Sequence, residues 1–94
     1  MNLGNAIKNR RILKGINQSS LAKLSDITQS YLSQIENNLK EPNLSTLKKI
    51  ADILTIPLPV LFFLSLDDDD VSDDKRKDFS MINNSIKYLV SNYF

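Results

Sequence analysis

Apolar positions recur along the chain at the three- and four-residue spacing of helices, and they mark out six of them. Leu3, Ala6, Ile7 and Leu13 predict helix 1, from about Leu3 to Lys14, with Gly15 behind its basic last turn as a left-handed cap. Asn17 is placed to cap a short helix 2 that carries Leu21, Ala22 and Leu24 on its inner side. Ser25, Asp26 and Ile27 leave room only for a tight turn. Thr28 then caps helix 3, where Tyr31, Leu32 and Ile35 lie three or four residues apart. Between Asn37 and Asn43 the periodicity breaks: Asn38 tolerates left-handed backbone and Pro42 stops any continuation. Asn43 caps helix 4, with Leu44, Leu47, Ile50, Ala51 and Leu54 as a buried stripe. Pro59 suits the first position of a short helix 5 over Val60 to Leu64. An acidic stretch from Asp67 to Asp74 reads as a linker, and Phe79, Ile82, Ile86, Leu89, Val90 and Tyr93 predict an amphipathic helix 6 from about Lys75 to Asn92.

The expectation is therefore an all-α chain: a five-helix domain over residues 1–66, an acidic linker over 67–74, and a C-terminal helix over 75–94. With 94 residues, 41% of them apolar, there is enough sequence for one core and too little for two. Cysteine and histidine are absent, which removes disulfides, thiolate and imidazole metal sites and the commonest acid/base group near neutral pH. No catalytic residues, metal or cofactor are expected, and an enzyme is the least favoured class. No apolar run approaches the ~18 residues of a membrane span, and the first residues do not resemble a secretory signal. The cytoplasm is the expected location. The net charge of +1 hides a division: residues 1–66 carry +4 and residues 67–94 carry −3. A positive front part suits a polyanion, and the negative part is expected to face away from it.

Helix 3 presents the most informative pattern. Gln29, Ser30, Ser33, Gln34 and Asn37 form one continuous outer stripe, opposite Leu32 and Ile35. A face kept merely in solvent normally carries Lys and Glu, whereas this one is polar and uncharged. Gln and Asn match the N6/N7 edge of adenine, and Ser donates or accepts at several base edges. A short helix, a tight turn and a second helix with such a face is the arrangement in which helix 3 enters a major groove while helix 2 crosses the backbone. Gln18 at the start of helix 2 is placed for one phosphate, and Asn37, Asn38 and Lys40 for another.

The stretch Asn17-Gln18-Ser19-Ser20-Leu21-Ala22, followed by Ile27 to Asn37, resembles the phage-repressor (Cro/C1, or xenobiotic-response-element) helix-turn-helix family. The likeness continues through Pro42 to Leu47, Ile50-Ala51 and Leu61-Phe62, so it spans about residues 3–64. It implies a five-helix, lambda-repressor-like domain that binds double-stranded DNA, usually as a dimer on a palindromic operator. Carried over by position, base reading falls on Gln29, Ser30, Ser33 and Gln34, and phosphate contact on Gln18, Asn37 and Lys40, with Thr28 and Asn38 as further phosphate-contacting candidates beside them. Where the family commonly has glycine, in the turn before helix 3 and after the Glu-Asn pair, this chain has Asp26 and Asn38, both able to enter left-handed space at modest cost. The resemblance also implies an architectural ion pair between Arg11 and Glu36.

Helix 6 lies outside that resemblance. Its stripe of Phe79, Ile82, Ile86, Leu89, Val90 and Tyr93 either folds back on its own chain or pairs two copies, and the pairing is favoured because one domain grips a half-site weakly. Phe62, Phe63 and Leu64 are further candidates for that surface. The function expected is a transcription regulator, a repressor because no separate activation domain is seen. The alternatives are an antitoxin or controller protein of a toxin–antitoxin, restriction–modification or mobile-element system, with a toxin or other protein partner, and a protein-interaction module that has kept the fold without DNA binding.

Overall fold

The computed structural model describes all 94 residues. Six α-helices follow one another without strands: α1 Leu3–Leu13, α2 Gln18–Leu24, α3 Gln29–Glu36, α4 Leu44–Ile53, α5 Leu58–Leu64 and α6 Arg76–Tyr93. Local chemistry sets most of the boundaries. The side chains of Asn2, Asn17, Thr28 and Asn43 each accept the backbone N–H three residues on, at 2.7–3.0 Å, and so cap α1 to α4. Pro57, at the cap of α5, offers no such bond, and α5 begins at Leu58, ahead of the expected start. Gly15, Asp26 and Asn38 all take positive φ, as their turns require, and Thr55 does so as well, at 54°. No local pattern around Thr55 marks it for that conformation.

The core is drawn from every helix. Ile7, Leu21, Leu32, Ile50, Leu54 and Leu61 are fully enclosed, and Ile35, Ala51, Ile56 and Val90 close around them. At roughly 1.5–3 kcal/mol for each large side chain taken out of water, this cluster is the main source of stability. α3 lies against α1 and α2, while α5 lies against α1 and α4 and carries α6 on its other side. Three apolar residues fall outside the core despite their periodic positions: Leu13, Leu24 and Leu44 are exposed. Each is the first or last residue of its helix.

The acidic stretch is more ordered than a linker. It forms two 3-10 turns, Asp68–Asp70 and Asp73–Lys75. The Asp67 N–H donates to Asp70 Oδ2 at 2.8 Å, and Asp70 also meets the ammonium of Met1 at 2.8 Å. These two donors hold the Asp70 carboxyl below its ordinary pKa. Arg76 reaches back to Asp73 at 2.8 Å and to the carbonyl of Asp68 at 3.1 Å.

α6 folds back onto its own chain. Val90 is buried in the core and Ile86 packs against it. Phe79 meets Phe63 of α5 with ring centroids 6.2 Å apart, and Phe62 and Leu64 also pack on the core. Of the six residues expected to pair two copies, Phe79, Ile86 and Val90 therefore serve the chain's own interior. Ile82, Leu89 and Tyr93 remain exposed.

Candidate nucleic-acid interface

α3 is held by its inner edge. Leu32 and Ile35 are buried, and so is the charged residue beside them, Glu36. Arg11 approaches the Glu36 carboxylate as a two-pronged fork, with Nε 2.8 Å from Oε2 and Nη2 3.0 Å from Oε1. The side chains are only 11% and 2% exposed, so the pair is shielded from water. Arg11 Nη1 donates in addition to the carbonyl of Ile16 at 3.1 Å, tying in the loop between α1 and α2. One ion pair thus fixes α1, the α1–α2 loop and α3 together.

Gln18 connects this anchor to the outer face. Its Nε2 donates to Glu36 Oε1 at 3.3 Å, and its Oε1 accepts from Gln29 Nε2 at 3.5 Å. The first residue of α2 and the first residue of α3 are therefore joined through their side chains. Gln29 and Ser30 are exposed, while Ser33 and Gln34 are half-buried along the same face. Thr28 accepts the Tyr31 N–H at 3.0 Å and stays at the surface beside Gln29.

At the other end of α3 the candidates differ in their availability. Lys40 is exposed, and its backbone N–H, with that of Leu39, folds back to the carbonyl of Gln34. Asn37 is exposed but donates its side-chain amide to the carbonyl of Ser33 at 3.0 Å. Asn38 is engaged on α1: its Oδ1 accepts the Gly4 N–H at 3.0 Å and its Nδ2 donates to Asn2 Oδ1 at 2.7 Å. With both ends of its amide engaged, the Asn38 side chain ties the end of α3 to the start of α1.

Two residues in this arrangement had no sequence signal strong enough to single them out. Gly4 packs so tightly on the end of α3 that an added Cβ would fall 2.6 Å from the Glu36 carbonyl oxygen and closer still to that of Ile35. Arg10 is only 5% exposed, donating to the Leu54 carbonyl at 3.4 Å while its Nη2 has no partner. Burial pushes the Arg10 guanidinium below its ordinary pKa. Neither touches the outer face of α3. The charge division also takes a different shape from the one expected, because Asp67 lines the same groove as Asn38 and Lys40. The acidic turns begin beside one end of the candidate interface.

Comparison with known proteins gives this geometry its context. Residues 7–61 match the family model described as helix-turn-helix. The chain is 39% identical over 59 residues to the ImmF control region 10 kDa protein of Bacillus phage phi105, which covers 63% of this chain and 66% of that protein. It is 37% identical over 60 residues to the HTH-type transcriptional regulator SinR of Bacillus subtilis, across 63% of this chain and 54% of SinR. The chain thus spans between half and two thirds of these relatives. Among solved structures, the clp gene regulator ClgR from C. glutamicum superposes with a TM-score of 0.62 at 28% identity, over 65% of this chain and 79% of ClgR.

Proposed function

The chain belongs to the helix-turn-helix family, and on that premise we propose that it is a sequence-specific DNA-binding regulator of transcription, a repressor that binds a palindromic operator as a homodimer. The observation that carries this reading is the uncharged outer face of α3, aligned to α2 by the chain of bonds that runs from the shielded Arg11–Glu36 pair through Gln18 to the exposed Gln29. A reader of bases has to be held at a fixed angle before it meets the groove, since each polar side chain must arrive at a particular base edge.

In this reading Gln29 and Gln34 face adenine-type edges, and Ser30 and Ser33 fill in between them. Gln18 and Thr28 meet one phosphate run, while Asn37 and Lys40 meet the other. Asn38 contributes through its backbone position. Two copies would place their α3 helices ~34 Å apart, on successive turns of one groove. The names of the relatives support regulation, and that of the phage protein supports the more specific possibility of a controller in a mobile element. The protein works in the cytoplasm in this account. No helix is long and apolar enough to cross a membrane.

Selection of bound sequences from random duplex DNA tests the proposal. A palindromic consensus is the expected result. No enrichment, even at low salt where phosphate contacts are strongest, overturns it.

A further inference from the structure

α6 carries two apolar faces, and its own chain uses one. Phe79, Ile86 and Val90 point inward and are covered by the core and α5. Met81, Ile82, Tyr88, Leu89 and Tyr93 lie on an arc of roughly 140° on the other side, each about half exposed or more. Solvent-facing helix surfaces rarely gather five large apolar side chains, and such patches mark interaction sites.

We propose that this outer face pairs with the same face of a second copy, the two α6 helices running antiparallel about an axis through Ser85. The inference rests on the homodimer proposed above and specifies where that dimer is joined. The pattern is self-complementary in the way an isologous twofold contact requires. Counted outward from Ser85, Met81 and Leu89 are equally distant, as are Ile82 and Tyr88, and Asp78 and Asn92. An antiparallel crossing at Ser85 therefore sets Met81 against Leu89 of the second copy and Ile82 against its Tyr88. Small Ser85 faces itself and lets the helices approach.

Charge decides the direction. Residues 67–78 hold seven acidic and three basic side chains. A parallel pairing would set these segments side by side, at the cost of like-charge repulsion. The antiparallel pairing carries each acidic segment to the far end of the partner helix, where Lys14 meets the carbonyl of Phe94. The five side chains offer on the order of 600 Å², against ~800 Å² per partner in a standard interface. Leu13, exposed on the rim of the cleft that also contains Tyr88, extends the patch onto α1.

The experiment uses the full chain, whose lack of cysteine allows single thiols to be placed cleanly. Chains with Met81→Cys and with Leu89→Cys are oxidised mildly, alone and mixed. Disulfide-linked dimers are expected in the mixture and not from either alone; equal linkage of Met81→Cys chains alone overturns the antiparallel pairing. In sedimentation equilibrium, Ile82→Lys with Leu89→Lys should raise the dimer dissociation constant by about 30-fold or more while the helical circular dichroism of the folded chain stays that of the parent. A variant that stays as dimeric as the parent overturns the interface. A parent chain that is monomeric yet selects a half-site overturns the interface and leaves DNA reading intact, with the stripe then available to a different protein. A cross-linked dimer that selects no sequence upholds the interface and removes the regulator reading.

Discussion

Glu36 accepts three side-chain hydrogen bonds, two from Arg11 and one from Gln18, while almost fully buried. Removing it leaves the Arg11 guanidinium in a dry site without its counter-charge. Glu36→Ala should therefore cost ~3–5 kcal/mol, read as a lower melting temperature; a loss below ~1 kcal/mol would mean the pair matters little. Arg10, one residue before Arg11, has the opposite expectation. It is buried with no counter-ion and one orphaned nitrogen, and its acceptor, the Leu54 carbonyl, already takes the Thr55 hydroxyl at 2.7 Å. Arg10→Met keeps the apolar stem and removes the desolvated charge, so stability should hold or rise by about 1 kcal/mol in denaturant melts. On the outer face, Gln34→Ala should leave melting unchanged and flatten base preference at one operator position by ~1–3 kcal/mol, measured by competition with single-base variants.

At the scale of elements, the tightest joint is between the start of α1 and the end of α3. Glycine inside a helix is ordinarily improved by alanine, by roughly 0.5–1 kcal/mol. Gly4 should reverse that sign, because a methyl group there meets backbone carbonyls that cannot swing aside. Gly4→Ala is expected to destabilise by about 3 kcal/mol, at the upper end of overpacking costs, and a stabilised variant in thermal melts would show that α1 can shift. This joint also explains what the sequence made legible. Asn17, Thr28 and Asn43 as caps, and Asp26, Asn38 and Gly15 in left-handed turns, were readable because each depends on a few neighbouring residues. The polar stripe of α3 was readable for the same reason. Gly4, Arg10 and Thr55 take their roles from elements far away in the chain, and no local pattern announces that. The same limit applies to α6. Its periodicity showed an apolar helix, but only packing decides that Val90 turns inward while Leu89 beside it stays outside.

For the whole molecule, the small net charge conceals an opposition that acts at the interface itself. In the proposed function the positive front part would draw the protein to DNA, yet the acidic turns start in the groove that contains Lys40 and Asn38. Through Asn2, which Asn38 touches, and Met1, which meets Asp70, they remain attached to the end of α3. In water a carboxylate ~10 Å from a phosphate opposes binding by about 0.4 kcal/mol, and the Debye length is ~10 Å at 0.1 M salt. The acidic turns should therefore weaken DNA binding at low ionic strength and lose their influence as salt rises. Asp68 and Asp69 allow this to be isolated, since both are exposed and the only ion pair between them is a loose one, Asp69 to Arg76 at 3.7 Å. Asp68→Asn with Asp69→Asn should tighten binding by about threefold at ~50 mM salt, with the gain fading by ~300 mM. Titration of one labelled operator across that range reads the effect, and unchanged melting confirms that the fold is intact. Equal affinities for the variant and the parent at low salt would place the acidic turns away from the bound duplex, and the path of the phosphates past Lys40 would then have to run on its other side.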